Sequence, residues 1–211
     1  MMKYRALVFD FDGTIADTFD EGLRIYNTMA EDLDLRPIDD EEITYLRTMT
    51  ITDFIDHLGI PKRLVPRLLY RGTRMLKAKI PSLPLIKGMA EALPKLRKGA
   101  DHFGILTSNS VENAGLFLET HQLAGVFTFV SSTSKLTGKS KYLRDILKRY
   151  ALAPEELIYI GDEIRDIKAA RKAGVAAAAV GWGFNATEAL QASHPDHFCD
   201  TPDELMMALM S

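Results

Sequence analysis

Short apolar runs alternate over much of the chain with stretches in which apolar residues recur at helical spacing. The runs predict strands over residues 5–9, 102–106, 125–130, 156–160 and 175–180, and the periodic stretches predict helices that include residues 111–121, 141–150 and 164–173. Strands that alternate with helices are typical of parallel strands joined by crossover helices. Runs this apolar indicate a sheet that is covered on both faces. The pattern therefore predicts an α/β fold with a doubly wound parallel sheet.

The alternation is interrupted after the first predicted strand by a long stretch with helical periodicity alone. Helices are predicted over residues 19–33, 39–46, 52–58 and 62–79, and in the first of them Leu23, Tyr26 and Ala30 share one face. We expect the sheet to resume near Ile86. The predicted organisation is a core domain of residues 1–16 and 85–211 with an inserted helical cap domain of residues 17–84.

Composition narrows the class of protein without naming a function. The chain has 211 residues, of which 46% are hydrophobic, and 26 basic against 29 acidic residues give a net charge of −3. Nucleic-acid binding is not expected, because it needs a basic surface. No run reaches the ~20 apolar residues of a membrane helix, and the N-terminal apolar stretch is too short for a signal peptide. With Cys199 as the sole cysteine, we expect a reduced, cytoplasmic protein without membrane association.

Polar side chains with known chemistry follow several of the predicted strands at their carboxyl ends. In open α/β sheets this edge forms the ligand-binding crevice. Lys139 stands near the start of a crossover helix and is expected at the same edge. The candidates that follow the strands are Asp10, Asp12, Thr107, Ser108, Asn109, Asp162, Glu163 and Asp166.

Several carboxylates in one crevice predict a bound cation. Like charges that lie close together raise one another's pKa unless a cation intervenes, and Mg²⁺ prefers oxygen ligands. We expect Asp10 and Asp162 to bind Mg²⁺ directly, together with the backbone carbonyl of Asp12. Asp166 lies one helical turn after Asp162 and would orient the ligands, although Glu163 is an alternative for this role.

The spacing of Asp10 and Asp12 suits phosphoryl transfer. A carboxylate needs no deprotonation to attack phosphorus, so Asp10 is the candidate nucleophile. Asp12 would protonate the leaving oxygen and later accept a proton from the hydrolytic water. Gly13 permits the sharp turn that follows these two residues.

The remaining candidates would bind the phosphoryl group and neutralise its charge. Thr107 and the backbone amides near Ser108 and Asn109 would hold phosphoryl oxygens, with the Ser108 hydroxyl as the alternative to that of Thr107. Lys139 would neutralise the charge shared by Asp10 and the phosphoryl group, and Lys141 is its competitor for this role.

The segments DFDGTIADT and GDEIRD, with Thr107 and Lys139 between them, resemble the four motifs of the haloacid dehalogenase superfamily in order and spacing. The chain is similar to its subfamily I members with a helical cap, and most of all to phosphoglycolate-phosphatase-like hydrolases. The resemblance implies a Rossmann-like core and Mg²⁺-dependent hydrolysis of a small phosphorylated metabolite through a phosphoaspartate at Asp10. It also implies that a cap loop selects the substrate, which makes Arg47 a candidate substrate-binding residue.

Particular residues argue against other reactions of this superfamily. Asp12 argues against a dehalogenase, and the absence of a histidine before His57 disfavours a phosphomutase. A pyrophosphatase is the nearest alternative, and a catalytically inactive phosphate-binding domain would be expected to lack at least one motif residue. The sequence leaves open whether the protein is a monomer or a homodimer.

Overall fold

In the part of the chain that the structure describes, six parallel strands form a single sheet with helices on both faces. The structure is a computed structural model that describes residues 3–133 and 138–210. The strand order is β3-β2-β1-β4-β5-β6, and every neighbouring pair is parallel. The predicted α/β class and parallel sheet are therefore confirmed. The strands are β1 (Ala6–Phe9), β2 (His102–Thr107), β3 (Phe129–Ser132), β4 (Leu157–Gly161), β5 (Ala176–Val180) and β6 (His197–Cys199).

Helices connect the strands and cover both faces of the sheet. Short 3₁₀ turns supplement them at Asp40–Glu42, Ile80–Ser82 and Pro154–Glu156. The helices are α1 (Phe19–Leu33), α2 (Ile43–Leu46), α3 (Ile51–His57), α4 (Val65–Lys79), α5 (Met89–Gly99), α6 (Val111–Thr120), α7 (Lys139–Arg149), α8 (Ile164–Ala173), α9 (Thr187–Ala192) and α10 (Pro202–Met210).

Strand β1 is buried along its whole length between two apolar layers. Leu7 and Phe9 join the core cluster on one face of the sheet, whereas Ala6 and Val8 join the cluster on the other. This division follows because successive side chains of a strand point to opposite faces. Two covered faces explain why the strand sequences carry no polar alternation.

Residues 19–82, here called the helical insert, follow β1 and have an apolar cluster of their own. Its buried members include Met29, Leu46, Leu58 and Leu68, contributed by α1, α2, the end of α3 and α4. Helix α1 packs on α4 as the main contact inside the insert. The alternating strand pattern fails here because these helices bury their apolar faces against one another rather than against the sheet.

Several predicted boundaries were wrong for local reasons. Strand β3 spans Phe129–Ser132 rather than residues 125–130, because Val126 and Phe127 pack against the core outside the sheet. The sheet resumes at His102 and not near Ile86, since α5 intervenes. Strand β6 has only three residues, His197–Cys199, which is too short to leave a pattern.

Within the described part of the chain, no helix combines the length and the apolar character needed to span a membrane.

Candidate active site

Three buried carboxylates meet at the carboxyl ends of β1 and β4. One oxygen from each of Asp10, Asp162 and Asp166 lies within 4.8 Å of the others. Asp10 follows β1, Asp162 follows β4, and Asp166 lies in the first turn of α8. Because β1 and β4 are neighbouring parallel strands, their ends bring the first two carboxylates together directly. The predicted convergence of these acids is present in the structure.

Lys139 supplies the positive charge of this cluster. Its Nζ donates to Asp10 Oδ2 at 2.6 Å and to Asp166 Oδ1 at 2.7 Å, and all three side chains are buried. Helix α7 begins at Lys139, two residues earlier than predicted, whereas Lys141 is exposed. Burial lowers the pKa of Lys139, but the carboxylates of Asp10 and Asp166 outweigh it, so the net pKa is raised. Lys139 is therefore a fixed cation at the nucleophile candidate.

The Asp162 carboxylate is held by two groups that are not titratable. Its Oδ1 accepts a hydrogen bond from Thr14 Oγ1 at 2.6 Å, and its Oδ2 accepts one from the Phe184 backbone N–H at 2.8 Å. A Cβ atom added at Gly13, which has φ +75°, or at Gly183 would overlap Asp162 Oδ2. The two loops can enclose this carboxylate only because both positions are glycine.

Asp12 lies beside the cluster and faces the loop after β2. Asn109 Nδ2 donates to both Asp12 carboxylate oxygens, at 3.2 and 3.3 Å. Thr107 ends β2 and is buried, and its Oγ1 accepts the Asn109 backbone N–H at 2.9 Å, whereas Ser108 is exposed. The structure thus brings the predicted phosphate-binding loop to the predicted acid–base residue.

The side chains of Glu163 and Asp166 point to different partners. Glu163 Oε1 accepts from Arg165 Nε at 2.9 Å, outside the carboxylate cluster. Asp166 Oδ2 accepts the backbone N–H of Glu163 at 3.2 Å, while its other oxygen faces Lys139. Of the two alternatives for supporting a metal, the geometry places Asp166 in the cluster.

The pKa values of the three acids Asp10, Asp12 and Asp162 are raised, and burial is the largest cause in each case. Burial raises the pKa of Asp10 to about 7 against the opposing effect of Lys139, and burial raises the pKa of Asp12 to about 6. Burial and the charges of Glu163 and Asp10 hold the pKa of Asp162 well above its ordinary value. The basic side chains nearby lower the pKa of Asp10 without offsetting the effect of burial, and oxygen donors so close together fit a divalent cation such as Mg²⁺.

The raised pKa of Asp10 predicts how pH affects the stability of the metal-free protein. The folded state binds the Asp10 proton more tightly than the unfolded chain, whose aspartate pKa is about 3.9. Protonation of Asp10 therefore adds to the free energy of unfolding, and this contribution is fully present below about pH 3.9. It is lost as the pH rises through about 7. In chelator, we expect the melting temperature of the wild type to decrease relative to that of Asp10→Asn as the pH is raised from about 3.9 to about 7. A difference that stays constant across this range would contradict the prediction.

Arg47 of the helical insert contacts the loop that holds Asp162. Its Nε donates to the Phe184 carbonyl at 3.1 Å, its Nη2 donates to the Gly183 carbonyl, and its guanidinium lies 5.0 Å from the centre of the Phe19 ring. Arg47 was predicted to bind substrate and lines the cavity beside Asp12. Its hydrogen bonds favour a role in joining the insert to this loop.

Asn185 makes a second link between the insert and the core, one that the sequence interpretation missed. Its Nδ2 donates to the carbonyls of Arg47 and Met49, both at 2.9 Å, and its Oδ1 accepts the Ile164 N–H at the start of α8, also at 2.9 Å. Asn185 is buried and follows β5. The rule used for the other strands, that polar residues beyond a carboxyl end are candidates, would have found Asn185 if applied to β5.

Comparisons with known proteins agree with this geometry. The family model described as haloacid dehalogenase-like hydrolase matches residues 7–180. A phosphoglycolate phosphatase from Synechococcus elongatus is 36% identical, with 97% of each chain covered. An N-acetylmuramic acid 6-phosphate phosphatase from Pseudomonas putida is 27% identical over 87% of this chain and 85% of its own.

The fold has close counterparts among solved structures. A haloacid dehalogenase-like hydrolase from Streptococcus pneumoniae superposes with a TM-score of 0.82 at 23% identity, covering 98% of both chains. The family model covers the sheet from β1 to β5 and includes all the predicted motif residues. The chain therefore belongs to the haloacid dehalogenase-like hydrolases, as its motifs indicate.

Proposed function

We propose that this protein is a Mg²⁺-dependent phosphatase that hydrolyses a small phosphomonoester through a phosphoaspartate at Asp10. The observation that carries the proposal is the buried Asp10 carboxylate, bonded to Lys139 and adjacent to Asp162 and Asp166. The named activities of the relatives from S. elongatus and P. putida support phosphomonoester hydrolysis. The first of these makes 2-phosphoglycolate the reference substrate.

The metal would be held by Asp10, Asp162 and the backbone carbonyl of Asp12. Asp166, which lies in the same cluster, would position these groups. A bound divalent cation supplies charge neutralisation for the phosphoryl oxygens and relieves the repulsion among the carboxylates. Thr14 and the Phe184 N–H fix the orientation of Asp162 without contributing charge.

Asp10 and Asp12 would divide the chemistry into two steps. In the first, an Asp10 oxygen forms a bond to phosphorus while the bond to the leaving oxygen breaks, and Asp12 donates its proton to that oxygen. In the second, water attacks phosphorus, Asp12 accepts the water proton, and the bond to Asp10 breaks to release phosphate. The raised pKa of Asp12, about 6, suits a group that must give and then take a proton near neutral pH.

The test of this proposal is a panel of phosphomonoesters with 2-phosphoglycolate and pyrophosphate, assayed with Mg²⁺ and with chelator. We expect phosphate release from at least one monoester, loss of release in chelator, and recovery when Mg²⁺ is restored. Release from pyrophosphate alone would favour the pyrophosphatase alternative. No release from any compound would favour an inactive phosphate-binding domain.

Replacement of Thr107 tests which hydroxyl binds the phosphoryl group. Thr107→Val keeps the buried shape and removes the hydroxyl, and we expect kcat/KM to fall by about 10- to 100-fold, as for loss of a hydrogen bond to a charged group. Ser108→Ala is the matched control, because Ser108 is exposed, and it is expected to stay within about twofold of wild type. Steady-state kinetics decide the assignment, and a larger loss in Ser108→Ala would reverse it.

We infer that residues 17–84 act as a cap on a core of residues 1–16 and 85–211, and that cap closure gates turnover. Asn185→Asp removes both donors to the carbonyls of Arg47 and Met49 and keeps the acceptor for the Ile164 N–H. We expect a higher KM, faster amide hydrogen exchange around residue 47 and a lower melting temperature, because a buried carboxylate would face two carbonyl oxygens. Unchanged exchange and unchanged KM would contradict this role for Asn185.

We also infer a cytoplasmic location from the state of Cys199. Its side chain is buried and unpaired, and burial raises the pKa of the thiol to about 11. A thiol of this kind is unreactive, and it is compatible with a reducing compartment.

A further inference from the structure

The side-chain amide of Asn109 holds the Asp12 carboxyl group in one orientation. Its Nδ2 donates to both Asp12 oxygens, at 3.2 and 3.3 Å, and Asn109 is buried. A carboxyl group that is bonded through both oxygens does not rotate freely, so the position of its oxygens follows the position of the amide. The orientation of Asp12 therefore depends on what holds Asn109.

Hydrogen bonds fix the backbone of Asn109 on both sides. Its N–H donates to Thr107 Oγ1 at 2.9 Å, and its carbonyl accepts from Ser132 Oγ of β3 at 2.6 Å. These bonds determine where the side chain begins. They do not determine whether Oδ1 or Nδ2 faces Asp12, because an asparagine amide can turn about its last bond and exchange the two atoms.

Two donors at the start of α6 decide between these two orientations. Asn109 Oδ1 accepts from the Ser110 backbone N–H at 2.8 Å and from Asn113 Nδ2 at 2.7 Å. A turned amide would direct its NH₂ group at these donors and its oxygen at the Asp12 carboxylate, which is unfavourable on both sides. Asn113 is itself held, because its backbone N–H donates at 3.1 Å to Oγ of Ser110, the N-cap of α6.

The other polar atom of the Asn113 side chain takes no part in this arrangement. Asn113 Oδ1 is buried and has no hydrogen-bond partner among the residues that the structure describes. A buried carbonyl without a partner is unfavourable, and an apolar side chain of the same shape would avoid this cost. The polar contribution of the Asn113 side chain is therefore its donation to Asn109.

We propose that Asn113 is a positioning residue for proton transfer, which acts through Asn109 to hold the Asp12 carboxyl group towards the leaving oxygen of the substrate. This inference rests on the proposed phosphatase function and adds a residue to its first step. In that step the bond between phosphorus and the leaving oxygen breaks, and the leaving oxygen takes the Asp12 proton.

The test compares two esters that differ in their need for this proton. An alkyl ester such as 2-phosphoglycolate must release a strongly basic oxygen, whereas p-nitrophenyl phosphate releases an anion whose charge is delocalised and needs no proton. For Asn113→Leu we expect kcat/KM to fall by about tenfold or more with 2-phosphoglycolate and by less than about threefold with p-nitrophenyl phosphate. Ethyl phosphate serves as the alkyl ester if the wild type does not hydrolyse 2-phosphoglycolate.

Asn113→Leu is suited to this test because it keeps the approximate shape of the side chain and removes a carbonyl that has no described partner. Asn109 Oδ1 keeps its bond from the Ser110 N–H, so we expect little change in melting temperature. Asn113→Asp is a second variant, which keeps the size of the side chain and replaces the donor with an acceptor. The same difference between the two esters is expected of it.

The matched control is Asn27→Leu on α1, where a half-buried amide bonds the backbone of Ile38 at 2.8 and 3.0 Å. We expect this change to lower the melting temperature and to alter kcat/KM for both esters by the same factor. Equal losses for both esters in the Asn113 variants, or no loss for either, would overturn the inference and leave the phosphatase proposal intact. Failure of the wild type to release phosphate from any of these esters would overturn the phosphatase proposal and, with it, the inference.

Discussion

Asp10→Asn is expected to reduce phosphate release by about a thousandfold or more, because a neutral amide cannot act as the nucleophile. The substitution preserves the size of a side chain that is buried between Lys139 and the Phe11 N–H. Phosphate release under saturating Mg²⁺ and substrate measures the effect. Retention of more than about a tenth of wild-type activity would exclude Asp10 as the attacking group.

The stability of Asp10→Asn separates lost chemistry from lost folding. Burial disfavours the Asp10 charge, and the neighbouring Asp166 disfavours it further, so neutralising this position should not destabilise the metal-free protein. We expect the melting temperature in chelator above pH 7 to be equal to or higher than that of wild type. Asp203→Asn is a suitable control because Asp203 is exposed on α10, and it should change neither activity nor melting temperature.

Lys139→Met is expected to lower the free energy of unfolding in chelator by about 3–5 kcal/mol, the usual cost of removing one partner from a buried ion pair. Asp10 and Asp166 would then lie buried without the cation that now bonds both at 2.6 and 2.7 Å. We expect kcat to fall by about a hundredfold or more, since the transferred phosphoryl group also loses a fixed positive charge.

Mg²⁺ should restore part of the stability that Lys139→Met loses, because a divalent cation bound to Asp10 and Asp162 reduces the same repulsion. The comparison requires urea denaturation with chelator and with Mg²⁺. Lys141→Met is the matched control, since Lys141 is exposed two positions along the same helix and is expected to behave as wild type. Equal destabilisation by the two variants would contradict the assigned role of Lys139.

The acidic residues of the site could be predicted from the sequence because they follow buried strands directly. Asp10 and Asp162 each interrupt an apolar run, and the ends of parallel strands lie at one edge of a sheet. The sequence could not show that β1 and β4 are neighbours, which is what places oxygens of these two acids within 4.8 Å of each other. That order depends on packing between elements far apart in the chain.

Groups that act through the backbone left no signal in the sequence. The backbone N–H of Phe184 holds Asp162, and backbone carbonyls accept hydrogen bonds from Arg47. Almost every residue carries these backbone groups, so the residue type does not reveal which of them will be used. Side-chain type indicated that Arg47 could bind an anion, but not that its donors point to a neighbouring loop. Thr14 was overlooked because a threonine after a turn is common in protein sequences. Its role in orienting Asp162 is visible only from the hydrogen bond between the two side chains.

The position of the helical insert has a consequence for synthesis on the ribosome. Ala6 in β1 pairs with His102 and Leu157, so β1 gains its first partner strand after about half of the 211 residues have emerged and its second after about three quarters. The insert has its own apolar cluster and contacts that are local in the chain, which favours early and rapid folding. During translation β1 therefore remains unpaired while the helices of the insert fold. Its apolar side chains are accessible in this period, so they can bind chaperones or cause aggregation.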